Sequence, residues 1–144
     1  MKTTINPYIS FNGNCEEAFN FYKSVFRKEF KNVSRYKEIP GDKPLSEEEG
    51  NKIMHISLGI TDDIELMGTD TPELIDENVK KGNNVTLSVM PESAEETKRI
   101  FNELSEGGEV KVPLDKTFWA DLFGSFTDKF GVVWRINYGN GDGR

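Results

Sequence analysis

The sequence predicts an α+β protein of two tandem βαβββ units, and three observations predict it. A short alternating segment occurs twice: Asn6-Pro-Tyr-Ile-Ser-Phe11 returns as Asn84-Val-Thr-Leu-Ser-Val89. Each copy leads into a stretch with helical apolar spacing and a capping signal at its start. Three more strand-like stretches then follow each helix. Two six-residue matches could arise by chance; the capped helix behind each is what favours duplication.

Taken in order, the first six-residue segment alternates as a half-buried strand does. Asn14, with Glu17 three places on, has the character of a capping box, and Ala18, Phe21, Tyr22 and Val25 keep helical spacing behind it. Strands are expected over roughly residues 29–39, 52–60 and 65–68, with Asp62-Asp63 as a turn. The stretch 40–51, with two prolines, two glycines and Glu47-Glu48-Glu49, reads as a mobile surface loop. In the second half, Ser93 and Glu96 form a capping box, Thr97, Ile100, Phe101 and Leu104 make the apolar face, and Gly107-Gly108 ends the helix. Strands over roughly 109–113, 122–127 and 132–138 complete the unit, with a turn at 128–131. Residues 139–144 read as a flexible tail.

At 144 residues the chain has the size of one domain, here 1–138 made of half-units at about 3–70 and 83–138. The net charge is −7 with charges scattered, so no basic stripe is present to neutralise phosphates and nucleic acid is not an expected partner. No apolar run approaches ~18 residues, so no membrane span is expected. MKTTINPYISF lacks the basic cluster and apolar stretch of a secretory signal, and a cytoplasmic location follows by default. Cys15 is the sole cysteine, which rules out an intrachain disulfide. With no histidine or basic residue adjacent in sequence, it reads as a packing residue at a helix start, not as a reactive thiol. There is no P-loop, GxGxxG, CxxC or GxSxG.

PYISFNGNCEEAFNFYKSVF at 7–26, IMHISLGI at 53–60, LMGTD at 66–70 and WADLFGSFTDKFGVVWRIN at 119–137 resemble the vicinal oxygen chelate superfamily of glyoxalases, bleomycin-resistance proteins and ring-cleaving dioxygenases. More narrowly they are similar to its PhnB-like branch. The resemblance implies a curved, open eight-stranded mixed sheet around a cavity, with helices on the outer face, and a homodimer. In the enzymes of that superfamily four side chains hold a divalent metal. Matching the motifs puts those positions at Asn6, Glu65, Asn84 and Arg135.

Of the four, only Glu65 is an ordinary ligand. Carboxamide oxygens bind hard cations weakly, and a guanidinium has no lone pair to give. At ~5 Å and an effective dielectric of ~20, it would repel a dipositive ion by roughly 6–7 kcal/mol. No metal and no other cofactor is therefore expected, although the resemblance allows a divalent ion. Some PhnB-like domains carry a ubiquinone-pathway methyltransferase label, which no glycine-rich nucleotide loop in this chain supports.

Alternation sends Asn6, Tyr8 and Ser10 to the cavity side, with Ile53, His55, Ser57 and Gly59. Asn84, Thr86 and Ser88 join them, as do Val133, Arg135 and Asn137. Phe123, Phe126, Phe130 and Trp134 are expected in the core, and Trp119 at the cavity rim. The expected ligand-binding set is Asn6, Tyr8, His55, Ser57, Glu65, Asn84, Thr86, Trp119 and Arg135. Arg135 is either a cation for a small organic, anionic ligand or the ion-pair partner of Glu65. His55 is by default a hydrogen-bonded cavity histidine. The other reading makes His55 and Glu65 the catalytic groups of an enzyme of the superfamily.

Overall fold

The computed structural model describes residues 2–41, 44–71 and 79–141. The chain divides into two compact units after Lys80. The first contains β1 (Tyr8–Phe11), α1 (Cys15–Phe26), β2 (Phe30–Arg35), a 3-10 turn (Tyr36–Glu38), α2 (Glu47–Asn51), β3 (Ile53–Gly59) and β4 (Glu65–Asp70). The second contains β5 (Leu87–Val89), α3 (Ala94–Leu104), β6 (Glu109–Asp115), β7 (Leu122–Thr127) and β8 (Val133–Tyr138). Both have the predicted βαβββ order. Among the described residues no helix is long and apolar enough to cross a membrane.

Each unit is a four-stranded mixed sheet with the same topology, β1-β4-β3-β2 in the first and β5-β8-β7-β6 in the second. The first strand of each runs parallel to the last; the other pairings are antiparallel. One face of each sheet is covered by that unit's long helix. In the first unit Cys15, Ala18, Phe19, Tyr22 and Val25 bury against Phe11, Ile56, Leu58 and Leu66. Full burial of rings such as Phe19 and Tyr22 stabilises the fold by roughly 1.5–3 kcal/mol each. In the second unit Thr97, Ile100, Phe101 and Leu104 bury against Phe126, Trp134 and Ile136.

Where backbone and helix approach most closely, the sheet uses glycine. A Cβ on Gly68 would lie 2.5 Å from Phe19 Cε1, and one on Gly124 would lie 2.5 Å from Phe101 Cε2.

The structure corrects several local expectations. Asn14 makes no side-chain cap to α1; the carboxylate of Asp70 does that work from the end of β4. Phe19 joins Tyr22 as a core ring of α1, and the expected Phe21 is only half-buried. The second part of the expected 40–51 loop is α2, closed by a reciprocal capping box in which Ser46 Oγ accepts from Glu49 N–H and Glu49 accepts from Ser46 N–H. Residues 42, 43 and 142–144 lie outside the described residues. Ser93 supplies its half of the predicted box on α3, accepting from Glu96 N–H at 3.1 Å, while the Glu96 carboxylate accepts from Arg99. The 128–131 turn is organised by Asp128, which accepts from the N–H groups of Phe130 and Val132 and from Trp134 Nε1.

Candidate functional site

The face of each sheet away from its own helix carries polar side chains, because strand residues alternate between faces and the helix takes the apolar set. In the first unit Ser57 lies opposite Met67, which in turn lies opposite Tyr8. Tyr8, His55, Ser57, Glu65 and Met67 therefore share one face. Tyr8 Oη lies 3.3 Å from His55 Nδ1, with tilted rings 5.6 Å apart. Buried Ser57 donates a hydrogen bond from Oγ to Glu65 Oε1. Asn6 Oδ1 accepts from the Glu65 N–H at 2.9 Å, and Lys31 Nζ stands 4.0 Å from Glu65 Oε2. The structure thus joins Tyr8 with His55, and Asn6 with Ser57 and Glu65.

Ile53 does not face this way. Ser34 pairs with His55 but Arg35 with Ile53, so Met54 is an extra residue in the ladder. A bulge of this kind breaks the two-residue alternation. Ile53 consequently joins Ile56 and Leu58 in the core at 0% exposure.

In the second unit Ser125 lies opposite Arg135, and Ser88 lies opposite Arg135 on the other side. Thr86, Ser125, Thr127, Val133 and Arg135 line an open depression of about 380 Å³, joined by Lys81, Gly82, Asn83, Lys111 and Gly131. Arg135 is exposed and has no ion-pair partner among the described residues of its unit. Asn84 is not among the lining residues; it is exposed in a bend three residues before β5. Trp119 is 46% exposed and packs edge-on against Phe118 and Phe123. Phe126, Phe130 and Trp134 are buried as expected, but Phe123 is not. It lies opposite Asn137, on the face of Ser125 and Arg135, and pairs with Trp119.

The common topology also resets the repeat. In both units a serine of the third strand faces the last strand: Ser57 opposite Met67, Ser125 opposite Arg135. The counterpart of Tyr8 is then Ser88, that of Glu65 is Val133, and that of Asn6 is Thr86, two residues later than the Asn6/Asn84 match in the sequence.

The four residues matched by motif to the metal positions do not suit a cation. Asn6 Oδ1 is engaged by a backbone N–H and Glu65 by Ser57 and Lys31. Asn84 stands off the strand, and Arg135 supplies only donors. Among the described residues no three His, Cys, Asp or Glu side chains gather to hold a metal ion.

Sequence reasoning missed Lys81, Lys111, Ser125 and Thr127. Lys111 escapes alternation because Val110 pairs with Phe126 and Val112 with Ser125, leaving it as a bulge residue between them.

Residues 3–137 match the family described as 3-demethylubiquinone-9 3-methyltransferase. Protein YjdN of Escherichia coli K12 is 30% identical, over 92% of this chain and 93% of its own. The structure of PA1353 from Pseudomonas aeruginosa is 36% identical, with a TM-score of 0.83 over 96% of this chain and 98% of that one. A PhnB protein from Bacillus cereus is 28% identical, with a TM-score of 0.76 over 95% of this chain and all of that one. A glyoxylase/bleomycin resistance protein/dioxygenase domain from Frankia sp. EAN1pec, 10% identical, shares the fold at a TM-score of 0.65 over 97% of this chain and 99% of that one.

Proposed function

Because the chain belongs to the PhnB-like, 3-demethylubiquinone-9 3-methyltransferase family of the glyoxalase superfamily, we propose that it is a metal-free, homodimeric small-molecule-binding protein of the resistance type. One observation carries this reading: of the four residues matched by motif to metal ligands, and of Thr86 and Val133 that the common topology puts in register with Asn6 and Glu65, only Glu65 is an ordinary ligand, and Ser57 and Lys31 engage it. The second unit's face, where Arg135, Ser125 and Thr127 have no side-chain partner among the described residues, lies beside the exposed ring of Trp119 and suits capture of a small amphipathic organic molecule. Methyl transfer is not part of the reading. The β1–α1 junction carries a single glycine, Gly13, in place of a glycine-rich nucleotide turn. Cytoplasmic residence goes with this function.

Thermal-shift screening of small amphipathic and anionic compounds, followed by native mass spectrometry, tests it. A stoichiometric complex on a dimer is expected. If no compound of either kind stabilises the protein, or light scattering finds a monomer at micromolar concentration, the reading fails.

The common face of His55 and Glu65 favours a second reading, an enzyme in which these two are the acid–base pair. Metal loading followed by elemental analysis separates the readings. Stoichiometric binding lost in Glu65→Gln would favour the enzyme.

A further inference from the structure

The two units put a lysine at the same place in their ladders. Lys31 is the bulge residue between Phe30, opposite Leu58, and Asn32, opposite Ser57. Lys111 holds the matching place between Val110, opposite Phe126, and Val112, opposite Ser125. What faces each lysine differs. In the first unit Glu65 balances Lys31 at 4.0 Å. In the second, the counterpart of Glu65 is Val133 and the counterpart of Met67 is Arg135, so a carboxylate is lost and a guanidinium gained.

Lys81 adds a third cation to the depression, and none of its lining residues is acidic. Among the described residues the one carboxylate paired with a lining cation is that of Glu109, 3.1 Å from Lys111 Nζ and exposed to water. Three cations against this single anion leave two positive charges, in a chain whose net charge is −7. The hydroxyls of Ser125 and Thr127 have no side-chain partner among the described residues.

We propose that this face of the second unit binds a doubly charged oxyanion, carried on the small molecule as a phosphoryl group or as a dicarboxylate. Lys81, Lys111 and the fork of Arg135 neutralise it, and Ser125 and Thr127 donate to it. The inference rests on the small-molecule-binding reading and names the chemical class that reading leaves open. It assigns Arg135 to ligand and not to an internal carboxylate.

Isothermal titration calorimetry with phenyl phosphate, succinate and neutral phenol tests it, on the wild-type protein and on Arg135→Gln, Lys111→Gln and Lys81→Gln. All three side chains sit at an open surface, so the variants are expected to keep the wild-type melting temperature. Binding of phenyl phosphate, succinate or both is expected, and the stronger of the two identifies the source of the charge. Each substitution should weaken that binding by about tenfold, and so should raising salt from ~50 to ~300 mM. Phenol binding as well as phenyl phosphate, with the three variants unchanged, would overturn the anion site while leaving a small-molecule-binding protein. Failure of all three probes, with thermal-shift hits confined to uncharged compounds, overturns it as well. A blank from every compound in that screen removes the parent reading too.

Discussion

Asp70, the last residue of β4, accepts a hydrogen bond from the Cys15 N–H at the start of α1, at 2.9 Å. The same oxygen accepts from Gly13 N–H at 3.0 Å, and the other from Ile53 N–H at 2.9 Å. At 3% exposure, one carboxylate thus satisfies donors at a helix start and at the head of β3. Each N–H left buried and unpaired costs ~1–3 kcal/mol. Asp70→Ala is therefore expected to destabilise by roughly 3–5 kcal/mol in urea unfolding. Asp70→Asn, which keeps one acceptor, should cost about 2 kcal/mol. Equal, small losses in both variants would show that the carboxylate is not the cap.

Gly68 and Gly124 make similar approaches to a ring, yet they should respond differently to repair. A Cβ at Gly68 meets Phe19 Cε1 and Cζ and the sulfur of Cys15, all side-chain atoms. At Gly124 it meets Phe101 and also Leu114 Cα and Val112 O, at 3.0 Å each, which belong to the neighbouring strand. Both alanine substitutions should cost ~1–3 kcal/mol through overpacking. Phe19→Leu should recover part of the loss in Gly68→Ala, whereas Phe101→Leu should recover little in Gly124→Ala. Denaturant-based double-mutant cycles measure both couplings.

The contrast shows what can be read from a chain and what cannot. The order of elements was legible because it is local: Ser93 three residues before Glu96, apolar spacing over 97–104, alternation over 122–127. Phe19 over Phe21 was not, since which of two rings faces the sheet depends on the glycine at 68 that makes room for it. Nor was the cap of α1, supplied by a residue 55 positions away. In the site, Tyr8, His55, Ser57, Thr86 and Arg135 followed from alternation. Ile53 and Lys111 did not, because each adjoins or occupies a bulge, and an extra residue reverses the face that alternation assigns. Asn84 failed for a related reason, as β5 starts three residues beyond it.

Cys15 should be inert in the folded protein. It is 0% exposed, and burial, followed by the charges of Asp70 and Glu16, pushes its thiol far above the ordinary range. The thiolate needed for attack is thus scarce at neutral pH. A disulfide reagent at pH 8 is expected to label it only as fast as the protein opens, with full reaction in denaturant. Rapid stoichiometric labelling without denaturant would contradict the buried placement.

Arg35 and Glu16 supply the pH-dependent term that the structure makes explicit. Arg35 donates from Nη1 to Glu16 Oε1 at 2.9 Å and from Nη2 to Oε2 at 2.8 Å, and Nη1 also reaches the Asn51 carbonyl at 2.7 Å. These hydrogen bonds, with the guanidinium charge as a smaller cause, hold the Glu16 carboxyl below its ordinary value. A carboxylate depressed on folding stabilises the native state above its unfolded pKa. That contribution is lost as pH falls through the lower folded value. Because the Glu16 side chain is 51% exposed, solvent screening limits the pair to under ~1 kcal/mol. Arg35→Gln should therefore lower the urea midpoint slightly at pH 7, and the difference from wild type should shrink as pH drops to about 3. Glu16→Gln should shrink the pH 7 effect of Arg35→Gln, leaving what the Asn51 contact contributes. If the Arg35→Gln loss is the same at both pH values, the ion pair is not its source.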